Sequence, residues 1–278
     1  MENKDFLTTE NIELELLLQA AFLQYGYDFR EYSRAHVKRR VKHQLIQEGL
    51  SSISELQNIV LHDSGAFERL IRGLSINVTE MFRNPDFYKS IRQKVIPILK
   101  TYPYLKIWHA GCSTGEEVYS FAIMLKEEKL LERTQIYATD FNGEVVQQAQ
   151  KGIFPIRNIK EYTANYQKAG GKESFSDYYH ANNELVIFDA HLKKNIVFAE
   201  HNLVTDDVFA EVNMIVCRNV LIYFNRNLQN KVLKLFHKGL VTGGFLALGV
   251  KESLMFSDEE NKYKTVDAKQ KIFKKKHA

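Results

Sequence analysis

The sequence predicts an α/β protein in two parts, an all-helical N-terminal stretch followed by a parallel, doubly wound sheet. Three observations predict it. Residues 1–80 carry helix signals only. From Leu105 onward, short apolar runs of strand type alternate with helical stretches. Between the first such run and its helix lies a loop of small residues, Ala110-Gly111-Cys112-Ser113-Thr114-Gly115. Folds of this class bind ligands at such a strand-to-helix loop.

In the helical part, Ile12, Leu14, Leu16, Leu17 and Leu18 mark an amphipathic helix over 11–25. A second runs over 33–48 and stops at Gly49, and Ser52-Ile53-Ser54-Glu55 is a capping box that opens a third through about Leu61. Phe67, Leu70, Ile71 and Leu74 give a fourth. Asn84-Pro85 reads as an N-cap with proline at the first helical position, the helix running to about Lys100. Strands follow at 105–110, 135–139, 196–199, 214–217 and 245–248, with helices at 116 onward, 143–151, 205–209 and 226–238. Within 175–190 the alternation breaks, and 178–181 and 185–188 read as a β-hairpin about Asn182-Asn183. The expected division is a helical domain over 1–80, a linker with a helix over 81–103, and an α/β domain over 104–278 with a β-subdomain at about 172–192.

Composition is that of an ordinary globular chain, 45% hydrophobic and 26% charged with a formal charge of +4. No run of about 18 apolar residues is present, so no membrane span is expected. The start, Met1-Glu2-Asn3-Lys4-Asp5, lacks an apolar run behind it and does not read as a signal peptide. Cys112 and Cys217 lie in apolar segments, which suits free thiols in a reducing compartment, and the chain reads as cytoplasmic.

The loop after the first strand carries neither the lysine of a phosphate loop nor three spaced glycines. Two acids, Glu116 and Glu117, follow it instead. Acids there repel phosphates, so the ligand should lack them and carry positive charge, as S-adenosylmethionine does. A plain strand–helix turn with two acids at the helix dipole is the bland reading. Asp140, ending the second strand, stands where α/β nucleoside binders grip ribose hydroxyls, although alone it is equally a helix cap. Asn202, in Glu200-His201-Asn202-Leu203, offers an amide to an adenine edge.

Four segments together resemble one family. Residues 75–84, Ser-Ile-Asn-Val-Thr-Glu-Met-Phe-Arg-Asn, are similar to an Asn-x-Thr-x-x-Phe-Arg signature. Trp108 through Ser120 resembles a cofactor loop ending Ser-Thr-Gly-Glu-Glu-x-Tyr-Ser, and Ala138-Thr139-Asp140-Phe141 resembles a ribose-binding strand end. Cys217-Arg218-Asn219-Val220-Leu221-Ile222-Tyr223-Phe224 resembles a Cys-Arg-Asn-Val-x-Ile-Tyr-Phe block. The family is the CheR-type chemoreceptor methyltransferases. The resemblance implies a Rossmann-like class I methyltransferase sheet, with an N-terminal helical domain and a small inserted antiparallel β-subdomain. It implies an S-adenosylmethionine-dependent protein-glutamate O-methyltransferase whose product is S-adenosylhomocysteine.

By resemblance, Asn77, Thr79 and Arg83 reach the methionine part of the cofactor, beside Gly111 of the loop. Glu116 or Glu117 contacts the cofactor or holds Arg83, with Glu117 favoured. Asp140 binds ribose, Asn202 and Leu203 flank the adenine, and Arg218, Asn219 and Val220 border the sulfonium. Arg83 and Tyr223 are the residues expected beside the reacting carboxylate; taken alone, Tyr223 reads as core and Arg83 as a surface side chain. No metal is expected. Two departures stand out: Gly249-Val250-Lys251-Glu252 replaces a common Gly-His-Ser-Glu, and Val118 stands where a proline is common.

A basic run over 30–43 includes Arg34, Lys38, Arg39 and Lys42. Such a run is usually a solvated face; here it is the expected docking face for acidic receptor helices. Aromatics for base stacking are not interleaved there, so nucleic acid is not the expected partner. The hairpin resembles the subdomain by which some family members hold a receptor's C-terminal tail through strand addition. A monomer is expected. A small-molecule or nucleic-acid methyltransferase would explain the loop and Asp140 but not the segments of Arg83 and Tyr223, and a non-catalytic cofactor sensor or scaffold is the reading from another class.

Overall fold

The computed structural model describes residues 8–75 and 78–277. Asn77, one of the expected cofactor residues, lies outside the described residues. By internal contacts the chain forms two units: residues 8–75 with Ile222–Gln229, and residues 78–221 with the chain from Asn230 onward.

The helical unit holds α1 (Thr9–Tyr25), α2 (Arg34–Glu48), α3 (Ile53–His62) and α4 (Ser64–Leu74). Its core is the apolar face that the sequence marks, with Leu14, Leu17, Leu18, Val37, Val41, Leu56, Val60, Leu70 and Leu74 buried. Gly49 ends α2 at φ +67°, a left-handed turn that a side chain would strain. The Ser52 hydroxyl accepts the Glu55 N–H at 3.2 Å, as a capping box requires, while Glu55 reaches one residue further back to the Ser51 N–H at 2.7 Å. Ile222–Gln229 joins this unit through Tyr32 and Phe224, whose backbones pair antiparallel.

The second unit opens with α5 (Pro85–Ser90), a π-helical turn over Ile91–Val95, and α6 (Ile96–Leu99). Asn84 precedes Pro85 as expected but does not cap: it sits at φ +58°, and its amide is engaged elsewhere. The α/β body then runs β1 (Leu105–Ala110), α7 (Glu116–Glu127), β2 (Thr134–Asp140), α8 (Gly143–Lys151), β3 (Ile153–Pro155) and α9 (Ile159–Lys168). It continues through β4 (Tyr179–Asn182), β5 (Leu185–Phe188), α10 (Ala190–Lys193), β6 (Ile196–Glu200) and β7 (Val212–Cys217). It closes with α11 (Arg226–Gly239, of which Arg226–Gln229 counts with the helical unit), β8 (Leu240–Leu248), β9 (Tyr263–Asp267) and β10 (Ile272–Lys275).

The main sheet has the order β6-β2-β1-β7-β8-β10-β9. Its first five strands are parallel, and β10 and β9 add on antiparallel. The expected doubly wound parallel sheet is thus present, with two antiparallel strands added at one edge. Central strands such as β1, β7 and β8 are buried on both faces, which is why they read as continuous apolar runs. The order reverses at β1, so the loops after β1, β2 and β7 gather at one end of the sheet, where such folds hold ligands.

The hairpin is real, with β4 and β5 paired from Tyr179↔Phe188 to Asn182↔Leu185. Its turn lies at Asn183-Glu184, one residue later than expected, because Asn183 takes the left-handed conformation at φ +53°. The short β3 completes a three-stranded sheet, with Pro155 tolerated on an edge. The expected helix over 205–209 does not form. There the Asn202 amide oxygen accepts the Val204 N–H at 3.0 Å and Asp206 accepts the Asn202 N–H at 2.9 Å. Asp207 accepts the Val208 N–H at 2.7 Å. One helix-like turn closes, with the Asp206 N–H on the Asn202 carbonyl at 2.9 Å, and these local side-chain bonds hold the segment in turns instead of a helix.

Candidate cofactor and active site

The site grows from the ends of β1, β2 and β7. After β1 the chain turns at Gly111, at φ +81°, and the Gly111 and Cys112 N–H groups both bond the Thr139 carbonyl of β2 at 2.8 Å. A Cβ on Gly111 would stand 2.4 Å from a Val220 methyl, so the turn after β1 and the turn after β7 press together only because Gly111 has no side chain. Ser113, at φ +51°, donates its N–H to Asp140 Oδ2 at 3.0 Å.

Asp140 is buried and also accepts the Asn142 N–H at 3.1 Å and the Phe141 N–H. Burial pushes its carboxyl up, against the pull of these three N–H groups. A carboxylate offers about four lone-pair sites, so about one remains for a ribose hydroxyl. Asp140 also supports the following turn, but the cap of α8 is Asn142, whose side chain accepts the Glu144 N–H at 3.0 Å.

The two acids after the loop behave differently. Glu116 is buried and accepts the Thr114 hydroxyl at 2.6 Å, and burial pushes its carboxyl up to about 7. At Glu117 burial acts the same way, but the Arg218 guanidinium and His109 outweigh it and hold the carboxyl below its usual range. Arg218 Nη1 donates to Glu117 Oε2 at 2.7 Å, and His109 Nδ1 lies 3.3 Å from Oε1. Glu117 therefore holds Arg218. Arg83 instead donates to the Val78 carbonyl at 3.3 Å.

Arg218 is the hub. Its side chain is 2% exposed and lies over the Phe87 ring, 4.1 Å from the centroid. Its Nη2 donates to the Arg83 carbonyl at 3.1 Å and to Asn84 Oδ1 at 2.9 Å. This ties the segment carrying Arg83 to the end of β7, and it is why Asn84 cannot cap its own helix. Asn219 follows at φ +63°, and its N–H donates to buried Glu252 at 3.1 Å. Glu252 also accepts the Gly249 N–H, so one carboxylate fastens the turns after β7 and β8. The sequence signalled Glu252 only as the acid retained in an altered Gly-His-Ser-Glu.

Thus Arg83, Gly111, Glu117, Arg218, Asn219 and Val220 are linked through direct contacts, and Ser113 links Asp140 to the same loop. Thr79 is half-buried in the segment that precedes Arg83, and Leu203 is buried beside Asn202. Tyr223 lies in the helical unit, where its ring packs on His36 at 4.7 Å between centroids and its carbonyl accepts the Ser33 N–H at 2.8 Å. In α2, three of the four expected docking cations are paired with acids of α1. Lys38 and Lys42 bind Glu10 at 2.9 and 2.7 Å, and Arg34 binds Glu15. Arg39 is exposed.

The donor set suits S-adenosylmethionine. The loop presents buried acids and no lysine, which favours a cationic ligand without phosphates. The Ser113 hydroxyl is buried with no partner, a polar atom at the loop for a ligand to satisfy. Among the described residues no helix is long and apolar enough to cross a membrane, and Cys112 and Cys217 are free and buried.

Comparison with known proteins gives the family. Residues 77–272 match the family described as CheR methyltransferase, SAM binding domain, and residues 12–75 match its all-alpha domain. The Pseudomonas putida protein named "Putative methyltransferase Cher3" is 49% identical over 265 residues, which cover 95% of this chain and 97% of that one. A "Chemotaxis protein methyltransferase" of Listeria monocytogenes is 28% identical, covering 83% of this chain and 86% of its own. One of the same name from Escherichia coli is 26% identical, covering 92% and 89%.

Proposed function

The chain belongs to the CheR methyltransferase family and is an S-adenosylmethionine-dependent methyltransferase, and on that premise we propose that it methylates glutamate side chains of chemoreceptors. The products are glutamate methyl esters and S-adenosylhomocysteine, and the purpose is adaptation in chemotaxis. The observation that carries the reading is the Arg218 cluster, in which a buried cation on Glu117 fixes the Arg83 segment beside a phosphate-free cofactor loop.

Bound S-adenosylmethionine supplies a methyl carbon electrophilic enough for an ionised carboxylate to take it directly, and carboxylates are ionised at pH 7. The protein needs no general base. Its residues have to position the acceptor and exclude water, and orientation of this kind contributes up to about 7–11 kcal/mol in favourable cases. Arg83 and Tyr223 steer the acceptor carboxylate by hydrogen bonds. Asp140 takes the ribose, Asn202 and Leu203 border the adenine, and Arg218 with Asn219 and Val220 lines the sulfonium side. Thr79 and Asn77 support the methionine moiety. Pairing of Arg218 with Glu117 keeps a bare positive charge away from the sulfonium.

The acceptor helices dock on Arg34, Lys38, Arg39 and Lys42 of α2. The small sheet ends at β4, whose residues from His180 to Asn182 are exposed, an edge that suits a receptor tail added as a strand. The enzyme acts in the cytoplasm as a monomer.

The test is incubation with methyl-labelled S-adenosylmethionine and membranes carrying chemoreceptors of the same cell. Base-labile label on the receptors, lost in Arg83→Ala, is the expected result. Cofactor binding without transfer would move the protein to the sensor or scaffold reading.

A further inference from the structure

A second cationic feature lies in the α/β unit. A cavity of about 520 Å³ opens at the start of α5, walled by Asn84 and Pro85 on one side and by Val250 on another. Its charged lining is Lys89, Lys168 and Lys269 against a single acid, Asp86. Lys89 is 3.6 Å from Asp86, whereas Lys168 and Lys269 make no ion pair among the described residues. Both are exposed.

The three lysines come from separate elements that are fixed around one point. Lys168 ends α9, which is tied to the Arg83 segment by Asn165, whose amide donates to the Met81 carbonyl at 3.2 Å. Lys269 lies in the β9–β10 turn, which Asp267 fastens by accepting Ser90 Oγ at 2.6 Å and Lys94 Nζ at 2.7 Å. Asn84, in the wall, is the residue that Arg218 Nη2 holds at 2.9 Å. Val250 follows Gly249, whose N–H is bound by Glu252. The cavity therefore adjoins both turns that border the reacting centre. It also gives a place to part of the lysine-rich C-terminal stretch that the cofactor site does not use.

We propose that this lysine-walled cavity receives acidic side chains of the acceptor helix that neighbour the reacting glutamate. The inference rests on the chemoreceptor reading above and adds to it a determinant of which glutamates are methylated. Side chains three or four residues apart on a helix lie about 5–6 Å from each other. An acid one turn from the target is then within reach of a cavity one residue away from Arg83. Two cations without partners attract such an acid and reject a lysine at the same position.

The experiment compares the wild type with Lys168→Glu/Lys269→Glu and Lys168→Arg/Lys269→Arg, measuring methyl transfer to receptor membranes and S-adenosylhomocysteine affinity. Both positions are exposed, so neither change removes core packing. The expected result is a rise of about tenfold in KM for receptor in the glutamate variant at low salt, shrinking as salt is raised. S-adenosylhomocysteine affinity stays the same and the arginine variant keeps the wild-type KM. An unchanged KM in the glutamate variant, with the wild type active on receptors, overturns the cavity's role and leaves the chemoreceptor reading standing. No transfer by the wild type to any receptor overturns that reading and this inference together. Loss of binding to protein-free phosphatidylglycerol vesicles without any change in KM would assign the lysines to a lipid surface and overturn the proposal.

Discussion

The two ends of α7 carry the same dipeptide, Glu-Glu, in opposite settings. Glu116-Glu117 opens the helix, where the dipole favours negative charge, and Glu127-Glu128 ends it, where the dipole opposes it. At the far end the carboxylates are surrounded by cations and donors. Arg92 binds both, Lys100 and Lys172 bind Glu128 at 2.9 and 2.7 Å, and the Tyr166 and Tyr178 hydroxyls donate to Glu127. Burial would raise both carboxyls, but these partners hold Glu127 below its usual range and Glu128 down to about 2. At the near end only Glu117 has an arginine, and Glu116 is pushed up to about 7. The far end is saturated and structural. The near end leaves one acid poorly compensated, and it is the end at the proposed cofactor loop, in keeping with the tendency of perturbed groups to collect at functional sites.

Arg218→Ala should break the near end most severely. It leaves Glu117 without its guanidinium and releases the Arg83 segment, and removing one partner of a buried pair costs about 3–5 kcal/mol. Urea unfolding should record that loss, and calorimetry should record S-adenosylhomocysteine affinity falling with it. A variant as stable as the wild type would mean that Arg218 is not the hub.

The next effect is one of pH. A carboxyl raised from 4.5 to about 7 keeps its proton in the folded state while the unfolded chain has lost its own. The native state then binds more protons between these values, so stability falls as pH rises from about 4.5 to about 7 and levels off above. Glu116 accounts for about 3 kcal/mol of this fall, at 1.36 kcal/mol for each pH unit. Glu116→Gln should remove that part of the slope and be the more stable protein at pH 8. Glu128 has the opposite sign. With its pKa depressed, its contribution is complete above about 4.5 and is lost as pH falls toward about 2.

Arg92→Ala is the matching cut at the far end. Glu128 keeps Lys100 and Lys172, and Glu127 keeps its tyrosines, so the cost should be smaller, about 2 kcal/mol. S-adenosylhomocysteine affinity should not change. A loss of affinity equal to that of Arg218→Ala would show that the two ends are not distinct.

Neither Glu-Glu pair reveals its partners in the sequence, and that limit recurs across the molecule. Local signals carried far: Gly49, the Ser52 cap, the β1 loop and the hairpin all depend on residues near in the chain. The misses come from distant or competing contacts. Asn84 reads as a cap until Arg218, 134 residues away, takes its side chain. Residues 205–209 read as a helix until Asn202, Asp206 and Asp207 bind their own backbone. The strands β9 and β10 are short and lysine-bearing, and only the pairing of β10 with β8 and of β9 with β10 makes them strands. In α2 the cations looked free because Glu10 and Glu15 lie on another helix. The site was legible as residue types in motifs, while the choice between Arg83 and Arg218 as the partner of Glu117 was not.

The smallest expected effect concerns Glu252, which does for two turns what Glu117 does for one arginine. Its carboxylate accepts the N–H of Asn219, a residue held at φ +63°, and the N–H of Gly249. Without an acceptor there, the left-handed turn that follows Arg218 loses the bond that offsets its strain. Glu252→Gln keeps the shape and one carbonyl acceptor and removes the charge, so the loss should be about 1 kcal/mol, the difference between a charged and a neutral acceptor. The effect should appear as S-adenosylhomocysteine affinity weakened by about fivefold with the unfolding midpoint nearly unmoved, if the turn borders the sulfonium side as proposed. Glu252→Ala, which leaves both N–H groups without their acceptor, should weaken binding further. If both variants bound the product as the wild type does, the turn after β7 would be held by its packing against Gly111 alone, and the electrostatic ordering of the near end would stop at Arg218.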